Sequence, residues 1–328
     1  MLFLRLLFIS LVFSLHTAAI AGPQDSYALD SSWPALPADV SLGQATGVAV
    51  DSHNHVFIFH RADREWEEPF PVEPIALDTV FMFNGDSGEL LNKWGAELFI
   101  MPHGRSVDAD DQVWVTDVGS QQVHKFSHEG ELLLSLGEAG VQGNDEQHFA
   151  LPSDVAILGD GRIYISDGYV NTRVTQHTPS GLYEMQWGTP GDGQGELDLP
   201  HGIAASVLRI YVADRNNSRL QIFDHQGVFE TQWNGKHIGR PYGVATDKDE
   251  NVFLIDGGDQ PNNTRSRVVI LSKAGELIQS FNAALESDQA NLGHDIAVSK
   301  SGDVYVVDAW ARTVRKFKPN GINGVKAL

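Results

Sequence analysis

Short apolar runs, broken by turns rich in Asp, Asn, Ser and Gly, recur along most of the chain. Six segments open alike: ATGVAVD from Ala45, PHGRSVD from Pro102, PSDVAIL from Pro152, PHGIAAS from Pro200, PYGVATD from Pro241 and GHDIAVS from Gly293. After each opening come a polar turn and a second apolar run, as in VWVTD, RIYISD, RIYVAD, NVFLID and DVYVVD, and then a third such as RLQIFD or TVRKFK. Runs this short, bounded by turn residues, predict β-strands and no long helices. The register is tight: from Gly47, Gly104, Asp154, Gly243 and Asp295 to Arg61, Val118, Gly168, Gly257 and Ala309 is 14 residues each time, and from Gly202 to Arg215 it is 13. Repeats of 41 to 57 residues with three or four strands each match the blades of a propeller, which closes radially and leaves only short edges exposed. The expected fold is an all-β, six-bladed β-propeller with a central channel, formed as one domain by residues 22–328. The segment YALDSSWPALPADV, from Tyr27 to Val40, is expected to close the ring by pairing with the last blade.

Composition narrows the setting. Residues 1–21 carry one positive charge at Arg5, an apolar run from Leu6 to Leu15 and the small-residue pattern Ala19-Ile20-Ala21, which reads as a cleaved export signal. That predicts a secreted or periplasmic protein, with no membrane attachment after cleavage. Cysteine is absent, so neither a disulfide nor a thiolate ligand is available, and any metal must be held by His and carboxylates. With 23 Lys plus Arg against 43 Asp plus Glu, the formal charge is −20, and such a surface repels phosphate backbones. Nucleic acid is therefore excluded as a partner, and a monomer acting on a small-molecule or peptide substrate is expected.

The chemistry lies in columns that the repeat brings into register. The position just before the shared Gly or Asp reads Thr46, His103, Ser153, His201, Tyr242 and His294, with His in alternate repeats. With 13 His in 328 residues, three in one six-member column is about a one-in-a-thousand coincidence. Alternate blades lie about 120° apart and their inner strands face the axis, so three imidazoles converge with trigonal symmetry. Three His with an open fourth position suit a catalytic divalent ion. His53, His55, His124, His128, His148, His177, His225 and His237 lack such a column and are expected on the solvated surface. A second column places Arg61 and Arg215 in opposite blades, each either facing the channel end or paired with its adjoining carboxylate, Asp63 or Asp214. Tyr169 stands one residue beyond that column, where a bound cation and an arginine would ease loss of its proton and make it a general base. Asp108-Ala109-Asp110 and Asp247-Lys248-Asp249 begin like calcium loops but lack the Gly and distal Glu, and read as turns.

The motifs IFHRADREW, MPHGRSVD, WVTDVGSQQVHKF, LPSDVAI, ISDGYVNTR, LPHGIA, VADRNNSRLQ and HDIAVSKSGDVYVVDA resemble the NHL-repeat propellers and, within them, the peptidyl-α-hydroxyglycine α-amidating lyases. The resemblance runs from about Leu29 to Lys318. It implies zinc bound by His103, His201 and His294, Tyr169 as the base that removes the carbinol proton, and Arg61 and Arg215 orienting the substrate. It also implies a structural calcium deeper in the channel, on Asp295 and the main-chain carbonyls of Val48 and Arg105. The activity implied is cleavage of a peptidyl-α-hydroxyglycine, or an N-acyl or ureido relative, to an amide and glyoxylate. The animal enzymes carry Met-Pro before the third His, where this chain has Leu292-Gly293. Two other readings of the same propeller are a metal-dependent lactonase, normally built on carboxylate and amide ligands, and a non-catalytic protein-binding NHL module.

Overall fold

Each strand-turn-strand unit of the sequence folds as a four-stranded antiparallel sheet, and six such sheets follow one another around an axis. The computed structural model describes residues 27–320; the export signal expected at residues 1–21 lies outside them. Among the described residues there is no helix. The innermost strands are Ala45–Val50, Pro102–Val107, Pro152–Ile157, Pro200–Ala205, Pro241–Thr246 and Gly293–Val298, in blades 1 to 6. Each packs against the inner strand of the next blade, and that of blade 6 returns to blade 1.

The burial pattern explains the sequence pattern. Second strands such as Ile163–Asp167 and Val252–Asp256 are buried on both faces, because a blade is sandwiched between two neighbours, so they read as continuous apolar runs. Outermost strands such as Tyr183–Trp187 alternate, because one face meets solvent. The apolar core therefore lies between blades: Val48, Ile58, Phe81 and Phe83 of blade 1 pack with Ala297, Tyr305 and Val307 of blade 6. Third strands share these interfaces. That is why His124 and His177, expected at the surface, are buried, with His124 Nδ1 2.8 Å from Ser135 Oγ and His177 Nε2 3.0 Å from Thr175 Oγ1.

The leading segment closes the ring. Tyr27–Leu29 pairs antiparallel with Thr313–Pro319 as the outer strand of blade 6, and Trp33 packs edge-on against Tyr305 of the same blade at 4.9 Å.

One irregularity positions the site. Every inner strand slips register against its second strand at its second or third residue, at Ala45/Gly47, Pro102/Arg105, Pro152/Asp154, Pro200/Ile203, Pro241/Gly243 and Gly293/Asp295. A β-bulge re-aims a side chain, and here the bulge falls on the column that holds the three His. The following glycine lets the next inner strand close in: a Cβ on Gly104 would lie 2.4 Å from the Ser153 carbonyl oxygen.

Candidate active site

The bulged column brings His103, His201 and His294 together on the axis, all three buried. Their ring centroids are 4.9, 4.7 and 4.9 Å apart, a nearly equilateral triangle. Each Nδ1–H donates to the carbonyl of the column residue in the next blade: His103 to Ser153 at 2.6 Å, His201 to Tyr242 at 2.8 Å and His294 to Thr46 at 2.7 Å. The column thus alternates rings with the main-chain acceptors that orient them. A carbonyl can only accept, so Nδ1 carries the proton and every Nε2 keeps its lone pair. Burial lowers the pKa of all three, that of His294 to about 3, so the rings are neutral at neutral pH, the form in which imidazole can ligate a metal. The set fits a divalent transition metal.

Tyr169 enters from the loop after the second strand of blade 3, and its hydroxyl lies 2.9 Å from His103 Nε2 and 3.1 Å from His201 Nε2. Burial raises the phenol above its ordinary value, while Arg215 and Arg61 pull it down. Among the chain's own groups burial wins, so easier ionisation of Tyr169 requires the further positive charge of a cation at the triad. Both arginines reach the mouth, and neither is neutralised by its adjoining carboxylate. Asp214 takes Arg219 at 2.6 Å, while Arg61 donates Nε to the Pro102 carbonyl at 3.1 Å and Nη1 to Gln44 Oε1 at 2.7 Å. The guanidinium carbon of Arg215 lies 5.6 Å from the Tyr169 ring centre and 4.8 Å from that of Tyr242, and its buried Nε has no hydrogen-bond partner.

Two features were not legible as columns. Residues 61–79 form a long connection between the second and third strands of blade 1, whereas blade 2 uses only residues 118–121 there. This insertion lays Trp66 across the mouth, 5.0 Å from the Tyr169 ring, 6.0 Å from the His103 ring and 4.8 Å under the Arg61 guanidinium carbon. Its length was the available signal, because long loops on a rigid scaffold carry function. The second feature is Asp154, which lines the deeper channel together with Asp295 in a cavity of about 230 Å³. Asp154 accepts main-chain N–H bonds from Arg105 at 3.1 Å, Val155 at 2.9 Å and Ile203 at 3.0 Å, and Asp295 accepts from Val48 at 2.9 Å and Ile296 at 2.8 Å. Burial raises both carboxyls, and Asp154 raises Asp295 further. Two walled-in carboxylates are suitable oxygen donors for a hard cation. Arg105 stands beside them, buried over the Phe57 ring at 4.8 Å with no partner for its guanidinium nitrogens, and supplies part of the countercharge.

Gly293 also has a local reason. A side chain there would meet Ile255 at 2.6 Å and Ser266 at 2.8 Å, because the second strand of blade 5 and the end of the loop that follows it crowd the strand start.

The NHL repeat model matches residues 99–126 and 197–223, the opening hairpins of blades 2 and 4 with the strand that follows each. The human NHL repeat-containing protein 3 is 30% identical over 310 residues, covering 89% of this chain and 84% of that one. The chain belongs to the NHL-repeat family of β-propellers. It is also similar to the rat peptidylglycine α-amidating monooxygenase, 35% identical over 300 residues, 84% of this chain and 30% of that protein. It is also similar to the probable peptidyl-α-hydroxyglycine α-amidating lyase of Caenorhabditis elegans, 35% identical over 201 residues, 56% of each. The chain spans about a third of the length of the amidating monooxygenases it matches. A gluconolactonase from Xanthomonas campestris shares the fold, with a TM-score of 0.60 and 14% identity over 85% of this chain and 86% of that one.

Proposed function

We propose that this propeller is a zinc-dependent lyase that splits the N–C bond of a peptidyl-α-hydroxyglycine, or of an N-acyl or ureido α-hydroxyglycine, into an amide and glyoxylate. The observation that carries this reading is the Tyr169 hydroxyl lying within hydrogen-bonding distance of two of three convergent, neutral His Nε2 atoms. The names of the lyase relatives support it. Zinc held by His103, His201 and His294 would supply Lewis acidity toward the substrate's hydroxyl oxygen. Tyr169, as phenolate, accepts the hydroxyl proton. The O–H electron pair becomes the carbonyl bond of glyoxylate while the C–N pair leaves to nitrogen, which takes up a proton and departs as the neutral amide. Arg215, with its unpartnered Nε, and Arg61 hold the substrate carboxylate and favour the charged form of Tyr169. The acyl part extends toward a groove of about 550 Å³ between Phe70 and Pro71 of the blade 1 insertion and Gly140 and Leu151 of the facing loops.

The test is glyoxylate release from α-hydroxyhippurate by the zinc-loaded protein. Stoichiometric formation of benzamide and glyoxylate is expected, and hydrolysis of a lactone with no glyoxylate from any α-hydroxyglycine amide would place the chain in another class.

Deeper in the channel we propose calcium on Asp295 and the main-chain carbonyls of Val48 and Arg105, with Asp154 lining the same cavity. A ligand that binds only the folded state at about 100 times its Kd stabilises by roughly 2.7 kcal/mol, which corresponds to a melting-point rise of roughly 5 °C for a chain of this size. Calcium is expected to raise the melting temperature of the wild type by that order and to leave Asp295→Asn unchanged. Equal shifts in both proteins would remove Asp295 from the site.

A further inference from the structure

On the face of the propeller opposite the mouth, three side chains of blades 1 and 2 converge. Asp51 directly follows the inner strand of blade 1, five residues beyond Thr46 and so about 16 Å along the chain from the axial triad. It begins the same turn as Asp108 and Asp247, with Oδ1 accepting the main-chain N–H groups of His53 at 2.9 Å and His55 at 2.7 Å. In the other turns Oδ2 is used locally, by Trp114 Nε1 on Asp108 and by Asn251 Nδ2 on Asp247. On Asp51 it faces two imidazoles instead: His55 Nδ1 and His128 Nε2 each lie 2.9 Å from Oδ2 and 3.3 Å from one another. His128 comes from the outer hairpin of blade 2, so the cluster bridges two blades.

We infer that Asp51, His55 and His128 form a second metal site, for a divalent transition-metal ion such as zinc, separate from the axial one. Metal–ligand bonds of about 2.0–2.1 Å require donor–donor edges of about 2.9 Å in an octahedron and about 3.3 Å in a tetrahedron, and the three observed edges are 2.9, 2.9 and 3.3 Å. Two imidazoles and one carboxylate are a recognised donor set for such ions and a poor one for calcium or magnesium. Glu129 Oε1 lies 3.3 Å from His128 Nδ1, placed to hold the proton there and leave Nε2 as the donor. The scaffold is braced before any ion arrives: Asp111 of blade 2 accepts Ser52 N at 2.8 Å and Ser52 Oγ at 2.6 Å, fixing the blade 1 turn against blade 2. The Asp51 carboxylate is fully buried, whereas His55 and His128 keep about a quarter of their side-chain surface in solvent, so the remaining coordination positions open to water.

The test is equilibrium dialysis of the metal-free full chain against zinc in excess calcium, with bound zinc quantified. Two zinc ions per wild-type chain are expected, one in His128→Ala or His55→Ala, and one in His103→Ala. His53→Ala, whose exposed ring rests on Asp111 rather than Asp51, is expected to keep both. His128→Ala and His55→Ala that are folded by circular dichroism yet bind as much zinc as the wild type would overturn the second site. A wild type that binds one ion, lost in His128→Ala but kept in His103→Ala, would instead overturn the axial site.

Discussion

His201→Ala is expected to remove the axial zinc and to lower glyoxylate release by roughly 10²- to 10⁴-fold, the rate equivalent of several kcal/mol of Lewis-acid stabilisation. The size of the effect follows from the symmetry of the site. Three imidazoles at 4.7 to 4.9 Å ring separation are equivalently placed, each aimed by a carbonyl of the next blade. Alanine removes one donor of three and leaves the Tyr242 carbonyl, which had accepted from His201 Nδ1, without that partner. Bound zinc is read by dialysis, expected to fall by one ion per chain relative to the wild type, and turnover by glyoxylate formation. Retention of the full wild-type zinc content by a folded His201→Ala would show that the triad is not a ligand set.

Tyr169→Phe separates proton transfer from metal binding. The phenylalanine ring keeps the contact with Trp66 at 5.0 Å and the position near Arg215, so the mouth stays shaped. Only the hydroxyl at 2.9 and 3.1 Å from the two Nε2 atoms is lost. Removing a general base costs about 10² to 10⁴ in rate, so kcat is expected to fall by that factor with KM little changed and axial zinc retained. A variant within threefold of wild-type kcat would transfer the proton step to another group.

What could be read in advance was whatever the repeat projects into register. His103, His201 and His294 were visible because a channel-lining strand start recurs in every blade and its side chains share an axis. The ring closure by Tyr27–Leu29 was visible because the segment precedes the first repeat and the last blade needs an outer strand. Trp66 was hidden because an insertion has no counterpart in other blades. Asp154 sits in a column read for its glycine, where a carboxylate passes as a turn residue until its neighbours across the channel are known. His55 and His128 looked like solvated turn residues, since their meeting on Asp51 depends on the packing of one blade against the next. The ionisation of Tyr169 could not be read from neighbours alone, because burial opposes the arginines and the balance depends on the channel's closure.

The proposed function stands or falls with metal binding by the three-His column beside Tyr169. The most direct measurement is anomalous diffraction at the zinc absorption edge from crystals of the zinc-loaded protein. A peak is expected on the propeller axis, equidistant from the Nε2 atoms of His103, His201 and His294 and adjacent to the Tyr169 hydroxyl. An axis without anomalous density in protein carrying bound zinc would contradict it.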